Sequence, residues 1–587
     1  MKRGEQLRQI DILRIFNQAW IELYCPPVKL SLDGGEDQPL SSAPLTVVNG
    51  TVYLRPDLIP EGCNPHRFLL WYFRHELAHV HHCPYDVKTA YSLERAAQEV
   101  VKDWSISYLA THIFADLQVN LNYLPRRFNE MPYLVELAGK WGLPLVDEVL
   151  QGVYTLIHPA IKPRHEAIRE AGREILTIAG LNKPWHVKVQ MIAIILSQLK
   201  SKCPKLFSRK KLHKFIANYP LHVREDFLPN TLKMFEETYG TISDPVEAKE
   251  FFNQWIRPRL SESGWKRIES MIKKKLKGGG KGRDKSRGKA KGEAKPREKV
   301  VSISDEGTGK EPHLSSSLSK PLKKVRRELF NDAFWRRYWY KSRAENIIIQ
   351  YLARSPTRHP VWSVAKYPDE WYVEDDIEAL DVEISLDEGP LIPEVTTLKW
   401  VEEETSHGQS VVSGFVPSAI TILDSSKSMS GIRDSAAIAA FIAYLSARRA
   451  GGQTAVINFS TKFISSGWDE PDDIKELALS MNFGEFTVFP VGEVGRLISE
   501  NRGNCFIVVI TDGGWQNIDE AIPYLERIAD MGHRIIIFKL PGGKYPSRIA
   551  MIKRSPYISV YDIDDPEVDL QNIVLTEGMK AYKVFLT

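Results

Sequence analysis

The sequence predicts a multidomain chain, with a mostly helical α+β half at the N-terminus and a C-terminal α/β half built on a doubly wound, Rossmann-like parallel sheet. Three features carry that expectation. Residues 418–587 alternate apolar runs (AITILD at 419–424, TAVINF at 454–459, CFIVVITD at 505–512, RIIIFKL at 534–540) with amphipathic stretches near 431–450, 471–480, 491–500 and 518–531. Strands that are apolar on both faces and separated by helices belong to a parallel sheet covered on both sides. Residues 45–270 begin with one hairpin pattern and continue at helical spacing. Between the halves, residues 271–300 hold 13 Lys/Arg against 3 Asp/Glu and no aromatic residue. Such a stretch cannot bury enough surface to offset chain entropy.

In chain order, the hairpin is LTVVNGTVYLRPDLI (45–59), with Asn49-Gly50 as its two-residue turn. Asn64-Pro65 reads as a cap and first helical position for a helix running to His82, before Pro84. A second helix runs from about Leu93 to Tyr123 with a break. Residues 130–270 are helical in pattern, as in Val187–Leu199. Residues 325–355 form an aromatic-rich helix, in which Trp335, Tyr338, Trp339 and Tyr340 read as packing residues, and 360–413 are irregular and strand-like. The expected division is therefore 1–130, a helical extension 131–270, a basic linker 271–324, a connecting region 325–417 and the α/β domain 418–587.

Composition excludes several classes. With 587 residues, 43% hydrophobic and 26% charged, the chain is neither a single domain nor disordered throughout. Cys25, Cys63, Cys83, Cys203 and Cys505 are scattered and form no C-x-x-C pair, against a disulfide scaffold or a cysteine zinc ribbon. The N-terminus lacks a signal-peptide apolar core, and the longest apolar run, Ala436–Leu445, falls short of the roughly 20 residues a membrane helix needs. A cytoplasmic protein without membrane association is expected. The basic linker lacks aromatic residues for base stacking, which disfavours nucleic-acid binding. Gly278–Gly282 lacks the spacing of a phosphate-binding loop.

Two clusters carry chemistry. His75-Glu76-Leu77-Ala78-His79 places two imidazoles four residues apart on one helix face, where they can share a Zn²⁺ ion. Glu76 is then the candidate general base towards a water whose pKa zinc lowers to about 7. A catalytic site needs a third protein ligand and an open position. Tyr85 occupies the place where a short metzincin spacing would put histidine. Asp116 is the favoured third ligand among Glu94, Glu99, His112 and Asp116, with His112 second and Glu99 third. His82 is a further candidate, whereas His81 points off the His75/His79 face. The preceding hairpin offers an edge strand for pairing with an extended peptide. In the C-terminal half, Asp424-Ser425-Ser426-Lys427-Ser428 follows the first strand, where ligands of doubly wound sheets bind. With Thr487 and Asp512, Asp424, Ser426 and Ser428 supply hard oxygen ligands suited to Mg²⁺.

These residues make 418–587 resemble a von Willebrand factor A (VWA) domain, with Asp424, Ser426, Ser428, Thr487 and Asp512 at the positions of its metal-ion-dependent adhesion site. Gly484-Glu485-Phe486 departs from the small glycines often found there. The whole chain resembles a prokaryotic family that joins an N-terminal zinc metallopeptidase-like domain to a C-terminal VWA-like domain. That resemblance rests on the hairpin, on His75-Glu76-x-x-His79 and on Ile113–Asn120, which supports Asp116 as a site residue; His112 departs from the pattern. The resemblance implies a protein ligand at the VWA-like metal site, a MoxR-type AAA+ ATPase partner and a role in remodelling or maturing proteins. It leaves two functions open: a zinc peptidase, or a non-enzymatic adaptor whose zinc site is structural or vestigial.

Overall fold

The computed structural model describes residues 9–582 except for 33–44, 139–144, 271–318, 355–365, 403–415, 543–557, scattered positions within 56–61 and 262–269, and positions 164, 485, 502 and 568. Most of the expected basic linker lies outside the described residues.

The hairpin forms as its turn chemistry requires. Strands β2 (Leu45–Val48) and β3 (Thr51–Leu54) pair antiparallel. Asn49 and Gly50 both take positive φ, 50° and 70°, which the tight turn demands. A further strand, β1 (Lys29–Ser31), pairs parallel to β3 and gives the order β1-β3-β2. Its three residues are too few to carry a periodic signal. Helix α1 (Gln9–Glu22) packs on α2 (Pro65–Ala78). Asn64 caps α2 by accepting the Arg67 N–H at 3.0 Å.

The expected second helix is two. Helix α3 (Val87–Val101) ends at Lys102, whose φ of 53° breaks the spiral. Asp103 then caps α4 (Trp104–Leu117) by accepting from the Ser105 and Ile106 N–H groups. The helix widens into a π-type turn over Gln118–Tyr123. Helices Leu145–Tyr154, Glu166–Gly180, Trp185–Lys202 and Arg209–Asn218 share one apolar core with α3 and α4. Gly152 and Gly172 let two of them touch backbone to backbone: a Cβ on Gly152 would stand 2.1 Å from the Ile168 carbonyl oxygen.

Helix Ser319–Arg354 joins the halves. On one side, Trp339 donates to the Ile242 carbonyl at 2.8 Å and Tyr239 to that of Trp335 at 3.3 Å. On the other, Arg337 pairs with Glu476 (2.8 Å) and Asp473, and the Tyr340 hydroxyl donates to Asp434. The aromatic cluster is thus packing between the halves.

The connecting region holds a small sheet of β4 (Lys366–Glu370), β5 (Leu380–Asp381) and β6 (Leu398–Glu402). The C-terminal sheet contains β7 (Ser418–Asp424), β8 (Thr454–Phe459), β9 (Phe463–Ser466), β10 (Cys505–Thr511), β11 (Arg534–Lys539) and β12 (Ile558–Asp562), in the order β12-β11-β10-β7-β8-β9. The four strands read from sequence form its centre. The sheet is mixed rather than wholly parallel, because β9 runs antiparallel to β8. Only three residues join those two strands, too few for a parallel crossover. From β7 the chain moves outward to β8, and from β10 outward the opposite way to β11, so the carboxyl ends of β7 and β10 flank a topological switch point. Among the described residues, no helix is long and apolar enough to cross a membrane.

Candidate metal centre

Helix α2 presents His75 and His79 to Asp116 of α4, and carries Glu76 between them in sequence. The ligand atoms form a nearly equilateral triangle. His75 Nε2 lies 3.3 Å from His79 Nε2, and Asp116 Oδ1 lies 3.5 Å from the first and 3.6 Å from the second. A tetrahedral zinc with bonds of about 2.0–2.1 Å spaces its ligand atoms about 3.3–3.4 Å apart. Asp116 Oδ1 is also buried without a hydrogen-bond partner. An orphaned carboxylate oxygen facing two imidazole nitrogens is a donor set that fits zinc, with these three residues as the ones that would hold it.

The far side of each imidazole is held. His75 Nδ1 is 2.9 Å from Asn120 Oδ1, and Asn120 in turn donates to the Tyr154 hydroxyl at 3.0 Å. His79 Nδ1 is 2.6 Å from the Cys83 carbonyl. Both Nδ1 atoms face acceptors and so carry protons, which leaves the Nε2 lone pairs for the ion. Such outer contacts fix ring orientation and raise ligand basicity.

The other sequence candidates lie elsewhere. His112 approaches the opposite oxygen, Oδ2, with its Nδ1 at 3.5 Å. Glu99 is exposed on α3, away from the triangle, so it is no ligand in this arrangement. Glu94 is buried and accepts from the Trp255 indole at 2.8 Å. His82 stacks on Tyr123, and His81 Nε2 meets the Leu23 carbonyl. Two participants, His222 and Tyr154, were not legible in the sequence, since neither belongs to a spaced motif. Asn120 lies within the stretch that carried the family resemblance but gave no sign of its role.

Electrostatics follow from this crowding. Burial lowers the His75 pKa, but Asp116 and Glu76 outweigh it and raise the value to about 9. Burial and the His75 charge push His79 down. Without metal, His75 therefore holds a proton more tightly than His79. Burial raises Asp116, yet His112, His75 and His79 together take it well below the usual carboxylate range. Metal must displace the His75 proton. Apparent affinity should then rise about tenfold per pH unit between 7 and 9 and level off above. Calorimetry in buffers of differing ionisation enthalpy should read about one proton released per metal at pH 7; no release would contradict this electrostatic picture.

Glu76 lines a cavity of ≈ 120 Å³ together with His75, Asp116, Tyr72, Leu150, Tyr154 and Tyr219. Its Oε2 lies 2.6 Å from His222 Nδ1, and His222 Nε2 accepts the Val47 N–H at 3.3 Å. That contact covers the β2 edge at Val47, where strand addition was expected. Burial raises the Glu76 pKa, but His222 outweighs it and lowers the value.

The 221–226 segment is itself pinned. Arg259 donates to both Asp226 oxygens (2.6 and 2.8 Å) and to the Leu221 carbonyl (2.7 Å), all in a fully buried setting. Arg259→Met leaves the Asp226 carboxylate buried and unpaired, an expected loss of about 3–5 kcal/mol. Denaturant titration of the first unfolding transition checks this, and an unchanged midpoint would rule it out.

At the switch point of the C-terminal sheet, Asp424 Oδ2 accepts from the Thr511 hydroxyl (2.7 Å) and Oδ1 from the Ser426 N–H (2.9 Å). Ser426 and Ser428 hydroxyls are 3.1 Å apart. Asp512 Oδ1 accepts the Gly514 N–H, and its Oδ2 is buried without a partner. Burial pushes the Asp424 pKa up to about 6; Thr511 opposes this and the Asp512 charge adds to it. Thr487 is buried, and its carbonyl accepts the Gln516 N–H at 2.9 Å, which ties its loop to the segment after Asp512. Two crowded carboxylates, hydroxyls and an orphaned oxygen form a donor set that fits a hard cation.

No protein-family model matches the chain. No curated protein matches it either. Among solved structures it is similar to a von Willebrand factor type A protein from Catenulispora acidiphila, at 16% identity and a TM-score of 0.23, over 28% of this chain and 42% of that one.

Proposed function

We propose that the N-terminal half is a zinc-dependent peptidase and that the C-terminal half is a Mg²⁺-dependent, VWA-like protein-docking domain. The protein would act in remodelling or maturation alongside an AAA+ ATPase of the MoxR type. The observation that carries the first part is the His75–His79–Asp116 triangle, sized for tetrahedral zinc and opening beside a cavity that Glu76 lines. When bound, zinc supplies Lewis acidity that acidifies water and polarises a carbonyl. The chain's own residues do the rest. Glu76 takes a proton from the attacking water and returns it to the departing amine nitrogen as the C–O bond forms and the C–N bond breaks. Tyr72, Leu150, Tyr154 and Tyr219 offer the substrate side chain a largely apolar wall. Turnover of a quenched-fluorescent peptide pool that scales with zinc content supports this reading; zinc-replete protein that cleaves nothing in the pool overturns it.

The covered β2 edge favours a second reading, a non-enzymatic adaptor with a structural or vestigial zinc site. In both readings the docking half is the same, supported by the paired Asp424 and Asp512 carboxylates. A ligand at about 100-fold its dissociation constant stabilises by about 2.7 kcal/mol, roughly 5–10 °C for a domain of this size. Saturating Mg²⁺ should raise the C-terminal melting temperature by that amount in the wild type and not in Asp512→Ala. An equal rise in both would rule out this site.

A further inference from the structure

We propose that His222 is the positioning residue for the catalytic base: it fixes which oxygen of Glu76 is free to take a proton and where that oxygen stands. This deepens the hydrolase reading above and rests on it.

Three observations carry the assignment. The first is the tautomer. The Val47 N–H can only donate, so His222 Nε2, 3.3 Å away, accepts and bears no proton. A neutral imidazole then carries its proton on Nδ1, which donates to Glu76 Oε2 at 2.6 Å. A rigid backbone amide thus sets the direction of the contact. The second is placement. His222 is 2% exposed, and its neighbours are locked on both sides. Arg259 holds the Leu221 carbonyl, and the Asp226 carboxylate accepts the Val223 N–H at 3.1 Å while paired to Arg259. The imidazole is therefore delivered at a fixed position by elements remote in sequence from the zinc helix. The third is division of labour within the carboxylate. His222 occupies Oε2, and Glu76 lines the cavity, so Oε1 is the oxygen left for a water there. A long Glu side chain left without this contact would sample several rotamers, and a proton transfer needs the base within hydrogen-bond reach of its water. His222 acts through Glu76 and is itself neither a member of the ligand triangle nor one of the residues lining the cavity.

The test compares full-length wild type with His222→Leu and His222→Asn, each loaded with zinc and assayed on a quenched-fluorescent peptide the wild type cleaves. The Asn side chain keeps an N–H donor near the place of Nδ1. His222→Leu should keep its zinc and its KM within about twofold and lose about 100-fold in kcat, the scale of a displaced general base. His222→Asn should recover at least about tenfold of that loss. Wild-type kcat in His222→Leu, or equal loss in both variants, overturns the proposal.

A second readout separates this claim from the hydrolase reading. In metal-free protein carrying ¹⁵N-labelled histidine, the His222 Nδ1–H should resonate far downfield, vanish in His222→Asn and move upfield in Glu76→Gln, where the acceptor loses its charge. If wild type cleaves no peptide yet shows this signature, the peptidase reading fails while the positioning contact stands. Absence of the signature overturns the positioning claim whatever the activity.

Discussion

Replacing His75 with Ala should take the zinc content of the purified chain from about one ion to near zero. Three protein ligands would hold the proposed ion, and among the described residues no other His, Cys, Asp or Glu joins their group. His112 faces the other oxygen of Asp116, Glu99 is exposed on α3, and His81 is committed to the Leu23 carbonyl. Loss of a supporting contact costs about 10–100-fold in metal affinity, and loss of a ligand should cost more. Elemental mass spectrometry on metal-replete preparations reads the result, with His81→Ala as the matched control. Asp116→Ala should behave like His75→Ala. If zinc were equal in all of these, the triangle would not be the binding site.

Replacing Glu76 with Gln should lower peptide hydrolysis by about 10²–10⁴-fold while leaving zinc bound. The substitution is close to isosteric. The amide oxygen can still accept from His222 Nδ1, so the local hydrogen bond and the fold have no reason to break. What disappears is the basic oxygen that takes the proton. The adaptor reading expects something different: no turnover in the wild type and no functional change in the variant. Full activity in Glu76→Gln with zinc bound would remove Glu76 from the mechanism.

Much of this architecture was legible in the sequence because local physics writes it there. The Asn49-Gly50 turn, the Asn64-Pro65 cap and the four central strands of the C-terminal sheet each follow from residues close in the chain. Their boundaries moved by a few residues where caps decided the outcome, as at Lys102 and Asp103. Shorter elements left no pattern: β1 has three residues and β9 four, and both depend on a neighbouring strand to exist. The His75/His79 pair was legible because a spacing of four residues places side chains on one helix face.

The sequence by itself determined the donor types and the one-helix pair, His75 and His79, with Glu76 between them. It also placed Asp424, Ser426 and Ser428 at the end of a strand. The sequence also ranked Asp116 ahead of His112 and Glu99; the tertiary structure supplied the geometry, Asp116 Oδ1 at 3.5 and 3.6 Å from the two Nε2 atoms, which depends on the face of α4 that turns towards α2. Only packing brought His222 to Glu76 across 146 residues of chain, because a loop locked by a buried Arg259–Asp226 pair has no periodicity to betray its target. The covering of the β2 edge was decided there too: a strand's hydrogen-bonding direction is local, but what meets its outer amides comes from elsewhere in the fold.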